Sequence, residues 1–205
     1  MADKLRPGVR RLASRPPARH PARRMAESWV DDVLHFWFVE LPPPAWFSGD
    51  AGTDALVRIR FLALHEELRR GLPPGALMAP ESALAAVIAL DQFPRNLYRD
   101  QPEAFAADGA ALAAATRAVA LGFDRMFDTT RRHFFYLPFM HAEDRAMQAR
   151  SVELCTTLAD AEVLRYARLH REIVDRFGRF PHRNAVLGRP STPEEVAFLK
   201  AGRGF

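Results

Sequence analysis

Apolar side chains recur along most of this 205-residue chain at the three- and four-residue spacing of amphipathic helices. No run alternates between apolar and polar residues for long enough to predict a strand. The pattern predicts an all-α domain, an irregular array of about seven helices in antiparallel pairs. The predicted helices cover residues 29–39, 50–70, 80–90, 100–122, 129–158 and 161–177, with a short last helix from residue 193.

Capping residues indicate where several of these helices begin and end. Ser28 is a favourable N-cap for the first helix, and the three prolines at residues 42–44 end it. Asp160 caps the sixth helix, and Gly178 ends it. The sequence Thr-Pro-Glu-Glu at residues 192–195 is typical of a capping box with proline at the first helical position, so the last helix begins there.

The chain is organised around residues 134–144, Phe-Phe-Tyr-Leu-Pro-Phe-Met-His-Ala-Glu-Asp. The first seven are apolar, aromatic or proline, so we expect them to be buried and to carry the polar end of the stretch to the edge of the core. Pro138 lacks a backbone donor and clashes with the preceding turn. The helix predicted over residues 129–158 must therefore kink or restart.

The overall composition is that of one soluble globular domain, with 48% hydrophobic and 26% charged residues. The single cysteine, Cys155, excludes an internal disulfide and a cysteine zinc site, and we expect it to be a buried, inert thiol. A reducing, cytoplasmic compartment fits this usage. No apolar run approaches the roughly 20 residues that cross a bilayer, so we expect no membrane span.

The net charge of +4 is unevenly distributed along the chain. Residues 1–24 hold eight basic residues and one acidic residue, so this tail carries +7 and residues 25–205 carry −3. The tail is rich in Arg, Pro and Ala without a helical or strand period, which favours a disordered extension over an arm that contacts nucleic acid. A folded nucleic-acid-binding domain usually carries its positive charge on the fold itself. We therefore predict a tail over residues 1–24, a single all-α domain over residues 25–205, and no nucleic-acid partner.

Two short polar segments resemble each other, Phe-Pro-Arg-Asn at residues 93–96 and Phe-Pro-His-Arg-Asn at residues 180–184. In each, proline fixes a corner and phenylalanine anchors it, which predicts a loop that holds its polar residues in place. Arginine offers a planar fork for carboxylate or phosphate, and asparagine offers both a donor and an acceptor. The candidate ligand-binding residues are Asp91, Arg95, Asn96, Arg183 and Asn184. Alternatively, the two arginines form structural ion pairs with nearby acids.

Histidines near these segments supply groups that titrate near neutral pH. The candidate acid–base residues are His141, Glu143 and His182. We predict that they converge in one pocket with Asp91, Arg95 and Arg183. No spacing is diagnostic of a metal, so we predict no metal ligand, and the sequence identifies no cofactor. His65-Glu66-Glu67 lacks a second histidine four residues after the first, and it is interpreted as an exposed helix face.

Three motifs together resemble a bacterial family known as domain of unknown function 924. They are Asp-Gln-Phe-Pro-Arg-Asn at 91–96, Tyr-Leu-Pro-Phe-Met-His-Ala-Glu-Asp at 136–144, and the segment from Arg176 to Glu195. Val-Leu-His-Phe-Trp-Phe at 33–38 is also similar, although His35 stands where the family more often has Asp. The resemblance covers about residue 28 to the C-terminus. It implies an all-α, TPR-like fold in the cytoplasm, and it implies no activity, substrate or catalytic residue.

The sequence therefore leaves two functional interpretations. In the first, the polar motifs form a site that binds a small anionic molecule and is capable of acid–base catalysis. In the second, the domain is a TPR-like interaction module that binds a partner peptide, and the motifs are structural. Motifs that converge in one concave pocket favour the first, and motifs sealed inside helix contacts favour the second. The sequence makes no prediction of the oligomeric state.

Overall fold

A computed structural model of the chain describes residues 29–202. These residues form helices and contain no strand, so the predicted all-α class is confirmed. The predictions for Ser28 and for the tail at residues 1–24 lie outside the described residues. The similarity to TPR arrays stays a prediction.

Eight α-helices make up the described part of the chain, one more than the sequence predicts. The first, α1, covers residues 29–35 and continues directly into a π-helical turn, Phe36–Glu40. The others are α2 (Ala51–Leu68), α3 (Pro80–Leu97), α4 (Asp108–Ala120), α5 (Thr129–His141), α6 (Arg145–Thr156), α7 (Ala161–Phe177) and α8 (Pro193–Lys200). Short 3₁₀ turns lie at Pro43–Phe47, Pro102–Phe105, Phe123–Met126 and Pro181–Arg183.

Helix α3 lies at the centre of the fold and contacts α2, α4 and α5. Its residues 83–94 are all buried, and four of them are alanines. The small side chains let neighbouring helices approach closely, while aromatic residues fill the remaining space. Phe93 meets Trp37 edge-on, with 5.7 Å between ring centroids, and Trp37 meets Phe134 in the same way at 5.8 Å. The core therefore extends along α3 to its polar end.

The predicted polar loop at residues 91–96 is wrong, because α3 continues through it to Leu97. Pro94 lies inside the helix, where it supplies no N–H and costs one backbone hydrogen bond. Tertiary packing offsets that cost, since the turns on both sides of Pro94 are buried. Helical geometry then places Asp91 and Arg95, four residues apart, on one face of α3. This places both side chains where α3 meets α4 and α5.

The predicted fifth helix is two helices, and the break lies after His141 and not at Pro138. Pro138 sits within α5, and Asp144 caps α6 by accepting a hydrogen bond from the backbone N–H of Met147. Gln148, which is fully buried, donates from Nε2 to the carbonyls of Met140 and Ala142 at 2.7 and 2.8 Å. These bonds satisfy carbonyls that the break leaves without helical partners. His141 consequently stands at the C-terminus of α5.

Several helix ends lie where the sequence predicts them. Asp160 caps α7 through the N–H groups of Glu162 and Val163, and Gly178 ends it in the left-handed conformation, with φ of 70°. Thr192 and Glu195 form the capping box of α8. Cys155 is buried, as predicted. Within residues 29–202, none of the helices has both the length and the apolar character of a membrane span.

Candidate functional site

A cavity of about 370 Å³ lies where the polar end of α3 meets the end of α5, α7 and the 3₁₀ turn Pro181–Arg183. Four of the predicted site residues line it: Arg95, His141, His182 and Arg183. Other lining residues are Arg99, Asp100, Phe105 and His170. The segments at 91–96 and 180–184, which are almost 90 residues apart in sequence, therefore meet at one concave surface.

Arg95 and Arg183 share one carboxylate, that of Asp108 at the start of α4. Arg95 Nη1 lies 3.1 Å from Asp108 Oδ1, and Arg183 Nη1 donates to Asp108 Oδ2 at 3.1 Å. Arg95 Nη1 also lies 3.5 Å from the Asp91 carboxylate and donates to the Asp91 carbonyl oxygen. Arg95 Nη2 and Arg183 Nε are buried and have no acceptor among the described residues. The site therefore holds two arginine N–H groups without an acceptor, beside one Asp108 oxygen, Oδ1, whose 3.1 Å contact with Arg95 is an ion pair and not a hydrogen bond.

Arg183 is held between two aromatic rings at the wall of the cavity. Its guanidinium carbon lies 4.6 Å from the Phe105 ring centroid and 4.7 Å from that of Phe180. The side chain is 7% exposed. Burial lowers the pKa of Arg183 to about 10, although Asp108 partly opposes this effect. The folded protein thus carries a buried guanidinium that shares its one carboxylate partner with Arg95.

Asp91 and His141 form a hydrogen-bonded pair at the same cavity. The Oδ1 atom of Asp91 lies 2.8 Å from His141 Nδ1, and Gln92 Nε2 donates to Asp91 Oδ2 at 2.5 Å. Asp91 is 1% exposed, whereas the His141 side chain is 16% exposed and lines the cavity. Burial alone would raise the pKa of Asp91, but Arg95 and His141 together hold it well below its usual value. The Asp91 carboxyl is therefore ionised.

Burial, reinforced by Arg95, lowers the pKa of His141, while Asp91 opposes this shift. His141 is consequently neutral at pH 7, with Nδ1–H donating to Asp91. His170 of α7 lies beside it, with 6.3 Å between ring centroids. Burial lowers the pKa of His170 to about 3, so this ring is neutral as well. The two rings present a neutral imidazole surface next to the arginines.

Four of the predicted site residues do not line the cavity: Asp91, Glu143, Asn96 and Asn184, of which Asp91 reaches it only through His141. Glu143 accepts hydrogen bonds from the Phe180 N–H at 2.7 Å and from Arg189, which reaches both of its carboxylate oxygens. Asn96 donates to Asp54 Oδ1 at 2.8 Å, and Asn184 donates to Glu195 Oε2 at 3.2 Å. Their contacts tie the Pro181–Arg183 turn to the break between α5 and α6 and to α8, and they tie α3 to α2.

His182 stands at the mouth of the cavity, where its ring lies 5.7 Å from that of Phe180. Arg99 is also at the rim and binds Asp54 through Nε and Nη2. Asp100 next to it adopts the left-handed conformation, with φ of 60°, which aspartate tolerates better than most residues. The rim is therefore polar and exposed, and the buried charges lie deeper in the cavity.

Four residues that shape the site were not predicted from the sequence: Asp108, Phe105, His170 and Arg189. Asp108 lies in an alanine-rich helix, and His170 lies in a charged amphipathic helix, so neither belongs to a polar motif. Each reaches the site only through a contact between distant parts of the chain. His65, interpreted as exposed, is 1% exposed, and its Nδ1 pairs with the Ala89 carbonyl oxygen at 2.9 Å. Among the described residues, no three His, Cys, Asp or Glu side chains are placed to hold a metal ion.

Two comparisons with known proteins found a match. The sequence model of a family described as a bacterial protein of unknown function (DUF924) matches residues 33–203. A solved structure, that of the protein of unknown function ATU0120 from Agrobacterium tumefaciens, is 41% identical to this chain and has a TM-score of 0.83. The match covers 86% of this chain and 99% of the other. No curated protein matches the chain.

Proposed function

This chain belongs to the DUF924 family of bacterial proteins of unknown function, and we propose that its cavity binds a small molecule that carries a carboxylate or phosphate group. The family supplies no ligand, so the proposal rests on this chain's own residues. The polar motifs meet at a cavity of about 370 Å³, which is within the size range of small-molecule sites. Motifs that served only as structural contacts would have no need to surround open space.

The observation that carries the proposal is the state of Arg183. It is almost fully buried, it shares its one carboxylate partner with Arg95, and its Nε has no acceptor among the described residues. A buried charge that is incompletely paired destabilises the folded protein, and a purely structural role for Arg183 provides no interaction that offsets this cost. An oxygen anion in the cavity would interact favourably with both guanidinium groups and offset this cost.

The charge balance of the site favours a ligand with one negative charge. Arg95 and Arg183 face Asp91 and Asp108, so the buried groups sum to no net charge, and His141 and His170 are neutral at pH 7. A dianion would add two uncompensated charges to a partly buried site, which is costly. A monoanion adds one, and the unsatisfied arginine N–H groups favour it.

Binding is tested by isothermal titration of the full-length protein with acetate, a monoanion, and with succinate and inorganic phosphate, which carry more negative charge at pH 7 and should bind more weakly. We expect at least one of these anions to bind and to raise the melting temperature, because a ligand specific to the folded state stabilises it. Arg183→Met should abolish binding, since it removes a guanidinium and keeps an apolar side chain between Phe105 and Phe180. Arg117→Met, on the exposed side of α4, is the matched control and should bind as the wild type does.

The opposite outcome supports the interaction-module interpretation. If the wild type binds none of these anions, and if Arg95→Met and Arg183→Met both lower the melting temperature strongly, then the arginines are structural. The ligand proposal would then be wrong, and a peptide partner would be the better hypothesis.

A further inference from the structure

We propose that the Asp91–His141 pair is the catalytic base of this cavity and that it activates water to hydrolyse a carboxylic ester bearing an anionic group. This inference rests on the proposed anion-binding function and assigns a reaction to the same site. His141 is the catalytic residue, because its ring lines the cavity. Asp91 is a positioning residue that acts through His141.

The geometry fixes which nitrogen of His141 is available. Asp91 Oδ1 lies 2.8 Å from Nδ1, so Nδ1 carries the proton and Nε2 keeps its lone pair. Asp91 cannot easily turn away, because Gln92 donates to its other oxygen at 2.5 Å and the carboxylate is 1% exposed. A histidine base that is oriented by a buried carboxylate is the arrangement expected of general-base catalysis.

The charges around His141 keep it in the basic form. From α3 it faces Asp91 and Arg95, from α4 Asp108, from α5 His133, and from α7 His170, with His182 at the rim. Burial and Arg95 outweigh the acids, so the pKa of His141 is lowered and the imidazole is neutral at pH 7. A neutral histidine can accept a proton, whereas a permanent ion pair with Asp91 could not.

The lining side chains within residues 29–202 are Arg, Asp, Ala, Phe and His, so we assign the attacking oxygen to water. His141 Nε2 takes a proton from water while the water oxygen bonds to the ester carbonyl carbon. The carbonyl electron pair moves onto its oxygen, where the guanidinium of Arg95, which lies beside Asp91 in the same cavity, stabilises the oxyanion, while Arg183 holds the anionic group of the substrate. The intermediate then collapses, the C–O bond breaks, and the leaving alkoxide takes the proton from Nε2. One ester and one water give one acid and one alcohol, and no other reactant is needed.

The test uses the mono-4-nitrophenyl ester of succinic acid, which joins a carboxylate to an ester whose hydrolysis releases a coloured product. Succinic acid mono-4-nitroanilide is the slowly hydrolysed analogue for measuring binding. We expect wild-type protein to bind the anilide and to hydrolyse the ester. His141→Asn should lower kcat by about 100-fold or more, because its amide can still donate to Asp91 but offers no base. His35→Asn, an exposed histidine on α1, is the matched control and should leave kcat unchanged.

Three further measurements separate catalysis from structure. Free imidazole should restore hydrolysis to His141→Gly, because it can occupy the vacated space. Asp91→Asn should lower kcat with little change in KM, because asparagine can hold either tautomer of the ring. Nitrogen NMR of the wild type at pH 7 should show neutral His141 with the proton on Nδ1, and this measurement does not depend on any variant folding.

The outcomes distinguish this inference from the function on which it rests. Failure of the anilide and of the simple anions to bind overturns the proposed function and the hydrolysis together. Binding of the anilide without hydrolysis of the ester, or equal rates for the wild type and His141→Asn, overturns the catalytic inference alone. A charged His141, or one protonated on Nε2, at pH 7 overturns it as well.

Discussion

Replacing Arg183 with methionine tests whether this residue serves binding or stability. Methionine keeps an unbranched side chain of similar length between Phe105 and Phe180 while it removes the charge. Asp108 loses one arginine partner but keeps Arg95 at 3.1 Å. If the role of Arg183 is to bind a ligand, its removal should not lower the stability of the ligand-free protein.

The expected change in stability follows from the surroundings of Arg183. Burial lowers its pKa from that of a free guanidinium to about 10. One pKa unit corresponds to ~1.4 kcal/mol, so charging Arg183 costs ~3 kcal/mol more in the folded protein than in water. The contacts with the Phe105 and Phe180 rings offset about 1–2 kcal/mol of this cost. We therefore expect Arg183→Met to leave the free energy of unfolding unchanged or to raise it by up to ~2 kcal/mol.

Urea unfolding of the wild type and of Arg183→Met, followed by circular dichroism at pH 7, measures this difference. Asp108→Asn is the contrasting variant, because it leaves two partly buried arginines without their shared carboxylate. It should lose about 2–4 kcal/mol. A loss of 3 kcal/mol or more in Arg183→Met would refute the reasoning, because Arg183 would then be a structural ion-pair partner.

Three further predictions concern the fold. The free energy of unfolding should fall as the pH is lowered from 6.5 to 4.5. Burial lowers the pKa of His133 to about 4 and that of His170 to about 3, so both histidines take up protons in the unfolded chain before they do so in the folded protein. Each should contribute on the order of 1–2 kcal/mol to this loss. His133→Gln should flatten this dependence in urea titrations, and an unchanged slope would contradict the assignment. Gln148→Ala should cost about 2–3 kcal/mol, because it removes both donors at the α5–α6 break, whereas exposed Gln101→Ala should be neutral. Thr192→Ala should cost ~1 kcal/mol by removing the cap of α8, and no loss in thermal melting would refute this role.

The sequence alone determined the features that depend on neighbouring residues. Helical spacing predicted the all-α class, and the caps at Asp160, Gly178 and Thr192 lie where the local chemistry placed them. The residue types that can bind an anion or move a proton were also evident, because guanidinium and imidazole chemistry does not depend on the fold. Arg95, His141, His182 and Arg183 do line one cavity.

Only the tertiary structure decided which of those residues face open space. Glu143 and Asn184 are residue types that could bind a ligand, yet Glu143 instead pairs with Arg189 and Asn184 with Glu195 in structural contacts. Asp108 partners Arg183 across 75 residues of sequence, and no local pattern encodes such a contact.

Tertiary packing also decided where the helices near the site end. Pro94 predicted a corner, but α3 runs through it, because burial on both sides outweighs one missing hydrogen bond. The chain instead breaks after His141, where buried Gln148 satisfies the freed carbonyls. Burial and hydrogen bonds from distant residues can stabilise a conformation by more than the few kcal/mol of a local preference against it. For this reason the chemistry of the site could be predicted from the sequence, but its geometry could not.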